Sequence, residues 1–563
     1  MSKYLKNAAR AVATPPQSEP LDERQVPNSA GGYAYPVDKW VRFDRFVILG
    51  SQSGSYYATE KKLTKDNLQA VAECVKENGI KAVQRIVEIS DKGRAPKNDP
   101  ALLALAYAAG CGDADTKACA LASLPKVARI GTHLFHFVDF VQEFRGWGRA
   151  LKNGIARWYE AMDTDKLADQ VTKYQQRDGW SHGDLLRLSH PQLSVEKDAI
   201  ARWVLGQELA EKRSLKDKAG NVVREYGAIS RTLPNRIQGH MKLKEAKNAS
   251  EVAKLIREYG MVRESVPTEF LTEAVVWEAL LEKMPLTALI RNLGNMAKCG
   301  VAKPLSAGTQ EIVRRLSDKE ALKKARVHPI QILVAQKTFE SGHGVKGKGE
   351  WTVVPQIVDA LDGAYYDAFG NLEPTGKRFY LGLDISGSMW SGCVAGIDGF
   401  YPAIAAGAMA MVTVKTEANY YAAGFTTGHG KQPNWSNYRE QITMEEVSLS
   451  PRMRLDDVCR KMQALQVRMG GTDCALPMRD ALAKKLDVDV FCIYTDSETW
   501  FGDVHPMQAL REYRQKTGIP AKLVVVGLVS NEFTVADPLD GGCLDVVGFD
   551  TDAPGLIADF AKQ

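Results

Sequence analysis

The chain has 563 residues, 45% of them apolar and 25% charged, which is the composition of a folded protein and excludes a disordered one. Its nine cysteines are odd in number, scattered and without a C-x-x-C pair, which argues against a disulfide framework or zinc ribbon and for a reducing cytoplasm. The net charge of +5 divides unevenly: 18 Lys+Arg against 23 Asp+Glu from residue 376 onward give −5, and the remaining +10 falls on residues 1–375, where a polyanion partner is expected.

In chain order, residues 1–32 are rich in Pro, Ser, Gln and Glu and read as a mobile tail. No run approaches the ~18 apolar residues of a membrane span, and the N-terminus lacks an apolar core of signal-peptide length, so no membrane partner is expected. Residues 33–370 form the next unit, helical nearly throughout. Leu68, Val71, Ala72 and Val75 fall at i, i+3, i+4 and i+7, and Val83, Ile86 and Val87 approximately repeat the pattern, with Gly79 and Gly93 closing the two segments. Similar runs follow at 102–109, 150–162, 167–176, 275–284 and 321–339. Short helices broken by Gly or Pro predict stacked antiparallel pairs, an α-solenoid, with an irregular bundle as the alternative because no strict repeat is visible. Residues 371–563 follow another pattern: expected strands at 379–384, 420–425, 488–495 and 521–529 alternate with expected helices at 403–414, 455–469, 506–516 and 554–562. That alternation predicts a doubly wound parallel sheet covered on both faces, which binds ligands at the carboxyl ends of its strands.

At those ends stand Asp384-Ile-Ser386-Gly-Ser388 and Asp496-Ser-Glu-Thr, with Gly470-Gly471-Thr472-Asp473 between them. Carboxylate and hydroxyl oxygens are hard donors that suit Mg²⁺ or Mn²⁺, and so few anionic ligands leave the ion electron-poor, with a position open to an acidic group from a partner. The pattern resembles the von Willebrand factor A fold and its metal-ion-dependent adhesion site. The resemblance implies that Asp384, Ser386, Ser388, Thr472 and Asp496 hold one divalent cation, Mg²⁺. Enzymatic readings fit poorly. An aspartyl-phosphate phosphatase would want a second carboxylate where Ser386 stands, and Cys474 has no His nearby in sequence to activate it.

In the basic half the most informative stretch is 167–190, LADQVTKYQQRDGWSHGDLLRLSH. Lys173 and Arg177 are expected on one helix face that ends at Gly179; Ser181 with Asp184 makes a capping box for the next helix, which carries Arg187 and His190. Four cations would then share a rim, although cations in a last turn also complement the helix dipole, so a purely structural reading stands beside the RNA-binding one. Tyr174 and Trp180 are expected in the core ahead of stacking on bases. His133 and His136 read as core histidines, and the 341–349 loop as a basic segment touching phosphates through Lys346 and Lys348, since Gly349 replaces the Ser or Thr of a nucleotide loop.

The segments TKYQQRDGWSHGDLLRLSH, MPLTALIRNLG, ARVHPIQILVA, SGHGVKGK, EPTGKRFYLGLDISGSM, GGTDCALPM and FGDVHPMQALREYR are together similar to the Ro ribonucleoprotein family, whose helical part is the TROVE module. The resemblance implies HEAT-like repeats bent into a ring, small noncoding Y RNAs on its basic outer surface, and single-stranded ends of misfolded RNA passing through the hole. It carries RNA contact to Lys173, Arg177 and His190, with Arg187 beside them on residue type. It also implies a noncatalytic protein of RNA quality control that tethers a 3′ exoribonuclease, polynucleotide phosphorylase, in bacterial members. The competing expectation is a metal-dependent protein-adhesion scaffold. The Pro-rich beginning and the basic stretch 213–247 depart from the animal members.

Overall fold

The computed structural model describes residues 15–51, 60–216, 222–344, 349–370, 372–394, 399–428, 441–468 and 470–563. Lys39–Leu49 opens the helical part behind Asp38, whose carboxylate accepts the Trp40 N–H. Glu60–Lys92 is two helices broken at Asn78 (φ −155°, ψ 85°), where the Asn78 side chain caps Lys81 N–H at 2.9 Å. Gly79 stands at the break because Thr116 of the neighbouring helix presses on it; a Cβ there would lie 2.0 Å from the Thr116 hydroxyl. The second half ends at Gly93 with φ 70°, the left-handed stop expected of it.

The helices that follow stack in overlapping pairs. Asp99–Cys111 packs on both Ala114–Val127 and Gly131–Gln142, Ala114–Val127 on Arg149–Glu160, Ala249–Tyr259 on Ala274–Lys283, and Pro329–Glu340 on Pro355–Asp367. The array then returns to its own beginning. The Arg326 guanidinium lies 2.6 Å from the Asp91 carboxylate, His328 Nε2 lies 3.2 Å from the Arg94 carbonyl, and Gln331 Nε2 donates to the Pro96 carbonyl at 3.1 Å. These seams, some 235 residues apart in sequence, close the ring.

Two hairpins interrupt the helical run and correct its reading. Gln176–Arg177 pairs with Trp180–Ser181, and Ala210–Lys216 pairs with Val222–Ser230, so the basic 213–247 stretch begins as a β-hairpin.

In the C-terminal domain, Asn419–Gly428, Arg378–Asp384, Val490–Thr495, Lys522–Gly527 and Cys543–Val547 lie side by side as parallel strands. Gln441–Glu446 and Gly470–Gly471 flank Asn419–Gly428 in antiparallel pairing. Alternate residues of Val490–Thr495 enter different cores. Val490, Cys492 and Tyr494 join the cluster continuous with the helical array, whereas Phe491 and Ile493 join Leu510 and Tyr513 on the opposite face. Burial on both faces explains the unbroken apolar run in the sequence.

Residues 15–32 correct the expectation of a mobile tail; residues 1–14 lie outside the described residues. Val26–Pro27 pairs with Tyr33–Pro36, which pairs in turn with Phe533–Thr534 of the C-terminal domain. Arg24 bridges to Asp537 at 2.5 Å, Asn28 Nδ2 donates to the Thr499 carbonyl at 2.6 Å, and Tyr35 is fully buried. The chain's beginning is therefore a strap on the C-terminal domain. Its polar composition resembles a tail because its partners lie some 470 residues away.

Candidate metal centre and nucleic-acid interface

The parallel register that sets Tyr494 beside Leu383 brings the ends of both strands together. Asp384 ends the first strand and Asp496 follows the second. Asp384 Oδ2 accepts the Thr495 hydroxyl at 2.6 Å, and Oδ1 accepts the Ser386 N–H at 2.9 Å. The Ser386 and Ser388 hydroxyls are 3.2 Å apart, the Ser388 side chain works to lower the Asp496 carboxyl, and Asp496 Oδ1 accepts the Glu498 N–H at 3.1 Å. Thr472 is held by its carbonyl, which accepts Trp500 N–H at 3.1 Å and Phe501 N–H at 3.0 Å.

All five residues are at most 5% exposed. Burial, with the Asp496 charge added to it, raises the Asp384 carboxyl to about 7, and burial raises Asp496 as well. Neither forms an ion pair with a described Lys, Arg or His. Among the described residues no group of three or more His, Cys, Asp or Glu could hold a metal, so a cation here would depend on the hydroxyls. Two buried carboxylates without a cationic side chain, completed by three hydroxyls, fit a hard divalent cation.

The sequence did not point to Thr495, which orients Asp384, or to the strap. Gln17 Nε2 donates to Asp473 Oδ1 at 2.6 Å, its Oε1 accepts the Thr499 hydroxyl, and Glu498 accepts Ser29 N–H at 2.8 Å. No local pattern marks Gln17. Cys474 is buried with its thiol pushed far up by desolvation, which agrees with a packing role.

The cationic stretch differs in part from its expected form. The helix Thr164–Lys173 stops at Lys173, and Asp178 (φ 51°) and Gly179 (φ 79°) make the two-residue turn of a hairpin, so Arg177 lies on a strand and shares no helix face with Lys173. Asp-Gly with both φ values positive is the favoured short hairpin turn, and it overrides the helical spacing. The capping box of Ser181 and Asp184 is present, and it starts His182–Ser189, which carries Arg187; His190 caps the end at φ 47°.

Arg177, Arg187 and His190 are exposed, and their nearest acids are weakly engaged: Asp178 at 3.6 Å from Arg177 and Asp184 at 3.8 Å from Arg187. Lys173 is half-buried beside Glu264 at 3.6 Å. Trp180 packs on Trp147 with centroids 5.6 Å apart, and Tyr174 lies under the Lys173 ammonium. His133 and His136 are half-buried, not core; His136 Nδ1 lies 2.8 Å from Asp178 and ties its helix to the hairpin. Lys346 and Lys348 lie outside the described residues.

Residues 26–342 match the TROVE domain model and residues 378–561 the Ro60 vWA domain model. The chain belongs to the Ro60 family. It is 41% identical to the RNA-binding protein RO60 of Deinococcus radiodurans over 99% of both chains, and 33% identical to that of Caenorhabditis elegans over 97% of this chain and 91% of the relative. The crystal structure of the D. radiodurans Ro (RSR) protein superposes with TM-score 0.65 at 39% identity, covering 93% of this chain and 99% of that one. The Ro60 relatives are named as RNA-binding proteins and not as enzymes. Among the described residues no helix is long and apolar enough to cross a membrane.

Proposed function

We propose that this Ro60-family protein is a noncatalytic RNA-binding protein of noncoding-RNA quality control in the cytoplasm. A Y-like small RNA would lie on the exposed rim of Arg177, Arg187 and His190 with Lys173 beside it, and single-stranded ends of misfolded RNA would enter the closed helical array. The observation that supports this reading most is the 41% identity, over 99% of both chains, to a protein named for RNA binding. The positive charge concentrated in residues 1–375 agrees with it. The adapter role, with a 3′ exoribonuclease such as polynucleotide phosphorylase as partner, extends the family resemblance.

In the C-terminal domain Asp384, Ser386, Ser388, Thr472 and Asp496 would hold one Mg²⁺. Bound there, the ion would supply an electrophilic position for an acidic ligand. The protein's own part is to keep the two carboxylates dry and oriented, through the Thr495 hydroxyl on Asp384 and the Glu498 N–H on Asp496.

The test is binding of a stem-containing small RNA to the full chain across a salt series. Phosphate contacts predict a fall of ~0.7–0.9 log units in affinity per neutralised phosphate per log unit of salt. Lys173→Ala with Arg177→Ala, or His190→Ser, should cost about 1–3 kcal/mol of affinity while the melting temperature holds. Affinity indifferent to salt and to these substitutions would overturn the reading. Mg²⁺-dependent capture of an acidic protein by a chain that binds no RNA would favour the adhesion scaffold instead.

A further inference from the structure

The strap of residues 15–32 grips the segment that follows Asp496. Glu498 accepts Ser29 N–H at 2.8 Å, the Thr499 carbonyl accepts Asn28 Nδ2 at 2.6 Å, and the Gly502 carbonyl accepts Gln17 N–H at 2.8 Å. Gly32 lies so close that a Cβ there would be 2.1 Å from the Thr499 carbonyl oxygen. That segment in turn holds two of the metal-site residues. Glu498 N–H donates to Asp496 Oδ1 at 3.1 Å, and Trp500 and Phe501 donate their N–H groups to the Thr472 carbonyl at 3.1 and 3.0 Å. Gln17 ties the two sides together. It is fully buried; its Nε2 donates to Asp473 Oδ1, beside Thr472, at 2.6 Å and to the Val504 carbonyl at 2.8 Å, while its Oε1 accepts the Thr499 hydroxyl. The Thr499 oxygen also accepts Cys474 N–H at 3.2 Å, so the Gly-Gly-Thr loop and the Asp496 segment meet at one glutamine.

We propose that the strap is a control element of the metal site: docked through Gln17, it fixes the loops of Thr472 and Asp496 for the cation, so that strap docking and cation binding strengthen each other. The proposal rests on the metal reading above and adds its regulation. Loops already held in place need no ordering when an ion arrives, so a docked strap favours binding. By linkage the ion must then favour the docked strap by the same factor. Simple covering of the domain does not require this arrangement. Arg24 on Asp537 and the pairing of Tyr33–Pro36 with Phe533–Thr534 already fasten the strap through other parts of the domain. A buried amide engaged at both Nε2 and Oε1 adds position to attachment, because a shift of either loop would strand Gln17 or Asp473 without its partner.

The experiment titrates Mg²⁺ into the full chain by calorimetry and follows deuterium uptake across residues 15–32 with and without Mg²⁺. Gln17→Ala, and Gly32→Ala with its methyl against the Thr499 carbonyl, should each weaken Mg²⁺ binding by about fivefold or more. Gly79→Ala, which strains the helical array against Thr116, should leave Mg²⁺ affinity within about twofold and so separates strap docking from a general loss of stability. Mg²⁺ should slow uptake across the strap in the wild type and have no such effect on Asp384→Ala. Mg²⁺ binding by the wild type without slower uptake, or strap variants that bind the ion as tightly as the wild type, would overturn the coupling and leave the metal site standing. Equal weakening by Gly79→Ala would overturn it as well. A wild type that binds no Mg²⁺ would overturn the coupling and the metal reading together. Uptake is read on the wild-type chain, so the result stands even where a variant fails to fold.

Discussion

Asp384 and Asp496 are the residues on which the metal reading turns, because each is a buried carboxylate with no cationic side chain to balance it. Asp384→Ala should abolish Mg²⁺ binding in a calorimetric titration and leave RNA affinity intact, since the cationic rim lies in the other domain; loss of RNA binding by the folded variant would refute that division. The five proposed donors could be picked out in the sequence because each sits in a short local signal, at a strand end or in a Gly-Gly-Thr loop. Gln17 was not, because its meaning comes from Asp473, 456 residues away. Burial raises the Asp473 carboxyl to about 7, and Gln17 and the Ala475 N–H counter that rise by donating to it. Gln17→Ala removes one of those donors from a buried acceptor and should cost about 1–3 kcal/mol. Denaturant unfolding of the full chain would measure this, and a change below about 0.5 kcal/mol would show that the strap contributes little there.

At the scale of elements, the hairpin around Asp178-Gly179 shows where sequence periodicity and turn chemistry compete. Lys173 and Arg177 keep the four-residue spacing of a helix, yet the helix ends at Lys173 and the chain reverses through two residues of positive φ. A side chain at Gly179 would meet nothing within 4 Å, so the cost of replacing it is conformational and not steric. Gly179→Val should therefore destabilise the hairpin by about 1 kcal/mol or more, and it should weaken stem-containing RNA in step with Arg177→Ala, because it disorders the strand that presents Arg177. Equal RNA affinity for wild type and Gly179→Val, measured by fluorescence anisotropy, would mean that the rim does not depend on this turn. The parallel strands were easier to place, since burial on both faces leaves a continuous apolar run bounded by polar residues. The helix stop at Gly93 was legible for a similar reason, because a left-handed Gly carries its signal locally, whereas Gly79 answers to Thr116 of the neighbouring helix.

In the whole molecule, the two domains meet along buried polar contacts that no local pattern announces. Arg45, fully buried in the first helix, reaches Asp545 through two hydrogen bonds of 2.7 Å, and Arg94 pairs with Asp550 at 2.6 Å. His328 joins three parts of the chain: Nε2 lies 3.2 Å from the Arg94 carbonyl and 2.8 Å from the Phe549 carbonyl, while Nδ1 accepts the Ile330 N–H at 3.2 Å and so caps Pro329–Glu340. This pattern requires the neutral ring with its proton on Nε2, since a second proton on Nδ1 would face the Ile330 N–H. Burial accordingly lowers the His328 pKa to about 4, although the Phe549 and Arg94 carbonyls and then Asp550 work in the opposite direction. A base depressed in the folded state contributes stability that is complete above its ordinary pKa of about 6.5 and is lost as the pH falls from there toward 4, on the order of 3 kcal/mol in all. His328→Asn keeps an oxygen to cap the helix and removes the titrating ring, so it should lower the melting temperature at pH 7 but flatten its decline between pH 7 and pH 5. Every other group at the junction is common to both proteins, so the difference between the two melting profiles isolates the histidine. Profiles that run parallel across this range would show that His328 does not set the acid sensitivity of the joint.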